Sequence, residues 1–164
     1  MSVTPAGLAP ELTVAAVIER DGRYMLVEER ILGQLVLNQP AGHVEPGEAP
    51  VAAVIREVLE ETAWTFAPEA VIGVYLWDPG GGRTPFLRIA FSGQCLAHHP
   101  ERRLDDGIER VLWLTRAELL TSRARWRSPL VPRAVADHEQ GERHPVGQYA
   151  GLTLAELALH AVIP

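Results

Sequence analysis

Cysteine is almost missing from this chain: Cys95 is the only one among 164 residues. A single cysteine excludes an intrachain disulfide, so the fold has to be stabilised by a hydrophobic core. Cys95 falls in an apolar, strand-like stretch, where a free cysteine typically behaves as a small buried hydrophobic residue. No apolar stretch approaches the roughly 20 residues of a membrane-spanning helix. No basic segment with a following apolar run opens the sequence, so we expect no signal peptide and a cytoplasmic protein.

Positive charge is also scarce, since 15 Lys and Arg stand against 21 Asp and Glu, for a formal net charge of −6. Nucleic-acid affinity depends on Lys and Arg contacts with phosphates, which disfavours a nucleic-acid partner. The basic run at 123–127 (RARWR) is better explained as a solvated or phosphate-facing edge. We expect a small-molecule partner, no membrane partner, and a monomer or homodimer. An acidic protein that acts on phosphates would need a metal ion between its carboxylates and the substrate.

The order of the periodic segments predicts one α/β domain. Apolar residues make up 47% of the chain, an ordinary globular composition. Asp21-Gly22 between two apolar runs predicts a tight hairpin. We predict strands at 12–19, 23–29, 34–37, 70–77, 86–96 and 108–114, and helices at 49–62, from 117, at 128–138 and at 152–161. This order is typical of a mixed sheet with helices on both faces. We predict a flexible lead at 1–11, the domain at 12–147 and a tail at 148–164.

The helix predicted at 49–62 combines an apolar stripe with an acidic face. Its apolar stripe consists of Val51, Val54, Ile55, Val58 and Thr62. Glu57, Glu60 and Glu61 stand at i, i+3 and i+4, so their side chains converge on a neighbouring face. A concentration of carboxylate oxygens suits magnesium, manganese or calcium rather than zinc. A solvated acidic face is the alternative, and these three residues alone do not decide between the two.

The spacing of the whole segment 42–64 (GHVEPGEAPVAAVIREVLEETAW) is more specific. It resembles the Nudix box, G-x5-E-x7-R-E-U-x-E-E-x-G-U, in which U is a bulky apolar residue. The positions in register are Gly42, Glu48, Arg56, Glu57, Val58, Glu60, Glu61 and Trp64. Ala63 departs from the pattern, because the family has glycine there, a residue suited to a left-handed helix cap. Ala63 supplies no catalytic group, so the departure affects stability and the way the helix ends more than chemistry.

The resemblance implies a Nudix-type α/β/α sandwich with a mixed β-sheet, and a magnesium-dependent hydrolase of phosphoanhydrides. Glu57, Glu60 and Glu61 would hold magnesium (manganese is possible), helped by the backbone carbonyl of Ala41. The metal would neutralise diphosphate oxygens and activate a water, so positioning and electrostatics would dominate catalysis. One of the three glutamates could also act as the base, and the sequence leaves open which one.

Further residues join the implied catalytic set. Arg56 would hold Glu48 and a metal-binding glutamate by charge-assisted hydrogen bonds. Many members of the family add an acidic group before a late strand, and the expected position here is Gly107. Asp105 or Asp106 could take that role after a small loop shift, although both also fit an ordinary acidic turn.

The resemblance extends from about Thr13 to Gly147 and is greatest to the NudJ-type phosphatase branch. The segments that carry it are VEE at 27–29, NQPAGH at 38–43, TPFLR at 84–88 and RSPLV at 127–131. Members of that branch release orthophosphate from nucleoside di- and triphosphates and act on diphosphates of the thiamine type. The candidate substrate-binding residues are Glu28, Gln39, Trp77, Arg88 and Arg127. An ADP-ribose pyrophosphatase and a catalytically silent nucleotide-binding module are the alternatives.

Overall fold

The computed structural model describes residues 9–149 and forms layers of helix, sheet and helix. The strands are β1 (Glu11–Val17), β2 (Glu19–Arg20), β3 (Arg23–Ile31), β4 (Gln34–Asn38), β5 (Ala41–His43), β6 (Trp64–Trp77), β7 (Phe86–His98), β8 (Ile108–Thr115) and β9 (His144–Pro145). The α-helices are α1 (Pro50–Thr62), α2 (Arg116–Thr121) and α3 (Leu130–Glu139), with 3-10 turns at Arg123–Arg125 and Val146–Tyr149. None of the helices in this part of the chain is long and apolar enough to cross a membrane.

The strands form two sheets. The first has the order β5-β1-β7-β6-β9 and is mixed, because β1 and β7 are parallel while the other pairs are antiparallel. The second is antiparallel, with β3 pairing to β2, β4 and β8. The prediction of a mixed sheet is confirmed, and the second sheet is an addition that local sequence patterns do not reveal.

The predicted hairpin at Asp21-Gly22 joins β2 to β3. Both residues have left-handed backbones, with φ of 51° and 73°, and they connect the paired residues Arg20 and Arg23. Two successive left-handed residues match the twist of the flanking strands, and Gly22 adopts that conformation without steric cost.

Side-chain alternation along β1 divides the core into two layers. Val14 and Ala16 pack with Val54 and Val58 of α1, while Val17 faces the opposite layer. That opposite layer contains buried residues of α3, namely Val131, Ala134 and Val135. Successive residues of a strand point to opposite faces, so β1 packs against a helix on each side. The predicted sandwich is confirmed.

The structure departs from the sequence prediction at β5 and at the start of β6. Strand β5 lies between the predicted strand at 34–37 and the predicted helix at 49–62, where no strand was predicted, and its pairing with β1 compensates for its short length. Strand β6 begins at Trp64 rather than at residue 70, and register shifts around Pro68 accommodate the proline. The helix predicted at 152–161 lies outside the described residues.

Helix α1 ends as the family pattern predicts, although Ala63 replaces glycine. Ala63 is left-handed, with φ of 58°, and its N–H donates to the carbonyl of Leu59. A Cβ in this conformation costs about 1–2 kcal/mol. Ala63 therefore adopts the left-handed conformation that glycine favours, and its backbone is strained as a result.

We expect Ala63→Gly to raise the free energy of unfolding by about 0.5–1 kcal/mol, because relief of this strain exceeds the lost burial of one methyl group. Urea denaturation measures the change. Ala52→Gly is the matched control, since Ala52 is an exposed residue within the same helix. The control should lower stability by about 0.5–1 kcal/mol. Equal destabilisation by both substitutions would contradict the strain at Ala63.

Candidate active site

The acidic face of α1 borders its buried face. Glu57 and Glu61 are each only 8% exposed, and the side chain of Glu60 is 29% exposed. Glu57 and Glu61 are buried together with Ala53, Val54 and Val58 of the same helix. Helix α1 contacts β5 and β8. Burying charged groups is costly unless they are paired, so this arrangement is the opposite of a solvated acidic face.

Strand β5 lies directly against two of these carboxylates. The N–H of Ala41 donates to Oε2 of Glu61 at 2.9 Å. A Cβ built on Gly42 would lie 2.2 Å from the carboxyl carbon of Glu57, so a side chain at this position would displace that carboxylate. The glycine therefore allows β5 and the carboxylate of Glu57 to approach each other closely. Pairing of β5 with β1 fixes the position of both contacts.

Arg56 forms hydrogen bonds with three of the acidic residues. Its Nε donates to Oε1 of Glu48 at 2.8 Å, and its Nη1 donates to Glu57 at 2.7 Å and to Glu60 at 3.0 Å. Its Nη2 donates to the carbonyl of His43 at 3.0 Å. The hydrogen bond to Glu48 is the largest cause of the raised pKa of Arg56, and the same bond lowers the pKa of Glu48. Arg56 thus connects α1, β5 and the loop between them.

The acidic residues of α1 carry more negative charge than Arg56 alone compensates. Burial raises the pKa of Glu61 to about 9, and the charges of Glu29, Glu57 and Asp105 add to the shift. Burial likewise raises the pKa of Glu57. Oε1 of Glu29 is buried without any hydrogen-bond partner. An all-carboxylate donor set with an orphaned buried oxygen fits a hard divalent cation such as magnesium or manganese.

In the observed rotamers the carboxylate oxygens of Glu57, Glu60 and Glu61 do not converge on one point. Arg56 binds Glu57 and Glu60, while Glu61 binds Ala41. Within residues 9–149, no three His, Cys, Asp or Glu side chains are spaced to ligate a common ion. Shared ligation therefore requires rotation of at least one glutamate side chain.

The two candidate aspartates differ in position. The N–H of Asp105 donates to the carbonyl of Glu60 at 3.0 Å, and its charge raises the pKa of both Glu57 and Glu61. Asp106 instead pairs with Arg103 at 2.6 Å, and its side chain is 91% exposed. Asp105 is the aspartate that lies beside the glutamates. Both aspartates line a cavity of about 170 Å³ together with Glu29 and Glu61.

A second cavity, which we call the ring cavity, adjoins the other side of β5. Its volume is about 180 Å³. Its walls contain the predicted substrate-binding residues Trp77, Arg88 and Arg127. The other lining residues are Thr13, Glu29, Asn38, Ala41, Gly42, His43, Phe86, Ser128 and Leu130. Trp77 stacks on Phe86, with ring centroids 5.9 Å apart and planes at 15°. Ala41 and Gly42 thus separate the ring cavity from the acidic face of α1.

The remaining two candidate substrate residues lie elsewhere. Glu28 is 3% exposed and forms ion pairs with Arg110 and Arg125, which lower its pKa. Gln39 is 1% exposed, and its Nε2 donates to the carbonyl of Val131 at 2.7 Å. Gln39 is not among the residues that line the ring cavity, and its hydrogen bond joins the segment after β4 to α3.

Sequence reasoning missed Glu29, which lines both cavities. The register of β3 against β8 shifts between Glu28 and Glu29, and this irregularity interrupts the alternation of side chains that would assign one glutamate to each face. The sequence therefore did not tell which of the two glutamates lines the cavities. Thr13 and Asn38 carried no local signal, since a polar residue at a strand end is common.

Comparisons with known proteins agree with this geometry. The NUDIX domain family model matches residues 9–134. Phosphatase NudJ of Escherichia coli (strain K12) is 36% identical over 137 residues, covering 84% of this chain and 88% of that protein. A solved NUDIX hydrolase from Nitrosomonas europaea is 46% identical, with a TM-score of 0.83, covering 85% of this chain and 95% of that one. The MutT protein from Methanosarcina mazei Go1 shares the fold at 19% identity and a TM-score of 0.68, covering 83% of this chain and 98% of that one.

Proposed function

Because this chain belongs to the Nudix family and is a hydrolase of phosphoanhydrides, we propose that it uses magnesium to release orthophosphate from small diphosphates and triphosphates. The proposed substrates are nucleoside di- and triphosphates and diphosphates of the thiamine type. The relatives named as NudJ phosphatases support the choice of orthophosphate as the product. The family expectation from segment 42–64 is confirmed, while metal, substrate and cytoplasmic location belong to the proposal.

One observation carries this proposal: the buried carboxylates of α1 and the ring cavity share the wall formed by Ala41 and Gly42. A compound with a ring in that cavity could extend its diphosphate past β5 toward Glu57 and Glu61. Phosphoryl transfer depends mainly on positioning and charge neutralisation, and both require such adjacency.

The side chains of Glu57, Glu60 and Glu61, with the backbone carbonyl of Ala41, would hold magnesium. When bound there, magnesium would neutralise diphosphate oxygens and lower the pKa of a water molecule. Arg56 acts as a positioning residue, since it holds Glu57 and Glu60 through one nitrogen and Glu48 through another. Asp105 adds negative charge to the same site and is the better placed of the two aspartates.

An assay with magnesium across GDP, GTP, ADP-ribose and thiamine diphosphate tests the proposed function. We expect orthophosphate from GDP, GTP or thiamine diphosphate. Release of AMP from ADP-ribose would instead identify an ADP-ribose pyrophosphatase. Failure to hydrolyse any of these compounds, together with retained nucleotide binding, would identify a silent binding module.

Glu60→Gln should lower turnover by at least about 10², because the metal loses a charged ligand. The fold should persist, since Glu60 is partly exposed and glutamine can still accept the hydrogen bond from Arg56. Steady-state kinetics measure the loss, and circular dichroism checks the fold. Glu109→Gln on β8 is a control outside the site, and it should retain turnover. Full activity of Glu60→Gln would remove Glu60 from the proposed metal site.

A further inference from the structure

At one end of the first sheet, residues 9–149 leave a group of apolar side chains exposed. On β6, Val74 is 47% exposed and Leu76 is 69% exposed. Leu12 on β1 is 37% exposed, and Leu87 on β7 is only partly buried. We call these four residues the open face. Large apolar side chains that are grouped on a surface mark a place where another segment or molecule binds.

Strand pairing shows that the open face is one continuous surface. Leu76 pairs with Leu87, and Leu87 pairs with Leu12. Val74 lies two residues from Leu76 on the same strand, and no register shift falls between them. Paired residues, and residues two apart in one strand, point to the same face of a sheet. The four side chains therefore form a single apolar patch across three strands.

The open face lies on the side of the sheet that α1 partly covers. Val74 pairs with Ile89, and Ile89 packs in the same core layer as Val54 of α1. Tyr75, between Val74 and Leu76, packs instead in the layer that contains α3. Helix α1 therefore covers only part of this side of the sheet, and the open face is the remainder.

The chain leaves the described region on this same side. Strand β9 pairs with Val71 of β6, and Val146, which follows β9, packs against the core layer of α1. Residues 150–164 come next and lie outside the described residues. Val71 and Leu76 are separated by about 17 Å along β6, at about 3.4 Å per residue. A helix of this segment's length spans about 22 Å. The segment is therefore long enough to reach the open face.

The sequence of this segment requires an apolar partner. Within 152–163 (LTLAELALHAVI), the polar residues are Thr153, Glu156 and His160. At about 100° per residue, these three fall in one narrow stripe of a helix, and apolar residues occupy the rest of its surface. A helix with so wide an apolar surface is stable only when most of that surface is buried. The helix predicted here therefore needs an apolar surface on which to pack.

We propose that residues 150–164 fold as a helix on the open face, beside α1 of the same chain, with Thr153, Glu156 and His160 toward solvent. The contact removes two apolar surfaces from water at once, and this burial drives the docking. A second copy of the protein on the open face would leave the apolar surface of 150–164 without a partner. The inference goes beyond the hydrolase proposal, because Arg88 of the ring cavity alternates with Leu87 on β7 and faces the other side of the sheet.

Hydrogen exchange of the full-length protein tests the docking directly. Amides of 150–164 should exchange at least about tenfold more slowly than those of an unfolded segment. Leu76→Glu should remove most of this protection, although Leu76 lies on β6, because an unpaired charge is costly in an apolar contact. Leu32→Glu is the matched control, since Leu32 is 100% exposed, and it should leave the protection unchanged. Rapid exchange of 150–164 in the wild type, or protection that survives Leu76→Glu, would overturn the proposal.

Thermal unfolding of full-length variants provides an independent test. Leu76→Glu and Leu157→Glu should each lower Tm by at least about 3 °C, since each disrupts an apolar contact. Leu32→Glu should lower Tm by less than about 1 °C, as expected for a surface change. The combined Leu76→Glu and Leu157→Glu protein should lose about as much as either single variant, because one substitution already undocks the segment. Additive losses, or losses no larger than that of Leu32→Glu, would contradict a contact between the segment and β6.

Sedimentation and vesicle binding distinguish other occupants of the open face. We expect an oligomeric state that neither Leu76→Glu nor Leu157→Glu changes. A dimer that only Leu76→Glu dissociates would place a second copy on the open face. A dimer that both variants dissociate would place the segment on the partner molecule. Cosedimentation with phosphatidylcholine vesicles that Leu157→Glu abolishes would place the segment in lipid. Each of these last three results would overturn docking within one chain.

Discussion

Glu61→Gln is expected to abolish most turnover while making the metal-free protein more stable. Turnover should fall by at least about 10², because the metal loses a buried anionic ligand. Stability should rise by about 1–3 kcal/mol at pH 8, since the substitution removes a buried carboxylate that forms no ion pair with any residue in the described range 9–149. Glutamine can still accept the hydrogen bond from Ala41, so the local packing is preserved. Opposite effects on stability and activity are characteristic of residues retained for function.

The pH dependence of stability provides a second measurement of Glu61. Its pKa rises from 4.5 in the ordinary state to about 9 in the folded protein. The folded state therefore holds this proton more tightly, so the contribution of Glu61 to stability is fully present below pH 4.5. That contribution is lost progressively as the pH rises toward 9. Urea denaturation with EDTA at several pH values between 5 and 9 should show declining stability for wild type and a shallower decline for Glu61→Gln.

Glu101→Gln is the matched control for this experiment, because its side chain is 77% exposed. We expect the control to change neither turnover nor the slope of stability against pH. A Glu61→Gln protein less stable than wild type at pH 8 without metal would show that the carboxylate is compensated inside the fold. The electrostatic description of the site would then be wrong.

Local periodicity was sufficient to predict the parts of the fold that depend on neighbours in sequence. The stripe of Val54 and Val58 predicted both the helix and its buried face, and Asp21-Gly22 predicted the hairpin. The spacing of Glu57, Glu60 and Glu61 predicted their common helix face. In each case the physical cause acts within one or two turns of backbone, so the sequence carries the information directly.

Contacts between distant segments could not be predicted in this way. Glu29 joins the site because β3 in the second sheet lies beside β4 and the chain leading to Ala41, an arrangement without a local signature. Gln39 is also polar, but it is buried, its amide donates to the carbonyl of Val131, and it does not line the cavity. Residue type alone indicated the candidates for substrate binding, whereas tertiary packing determines which of them line the ring cavity.

Gly42→Ala should inactivate the protein through Glu57, although glycine contributes no catalytic group. The new Cβ would lie 2.2 Å from the carboxyl carbon of Glu57, so that carboxylate has to move. A displacement of about 1 Å in a catalytic constellation can cost about 10² in rate, and overpacking costs about 1–3 kcal/mol in stability. We expect losses of this size in kcat and in the free energy of unfolding. Gly147→Ala is the control, because a Cβ there meets no atom within 4 Å.

A double-mutant cycle identifies the partner of the added methyl group. Glu57→Asp shortens the side chain by one methylene and withdraws the carboxylate from Gly42. The combined Gly42→Ala and Glu57→Asp protein should therefore be more stable than the sum of the two single changes, by about 0.5–3 kcal/mol. Its turnover should stay low, because the shortened carboxylate cannot resume the original position. Strict additivity of the stability changes would place the clash elsewhere, and wild-type kcat in Gly42→Ala would show that the contact between Gly42 and Glu57 does not position the catalytic site.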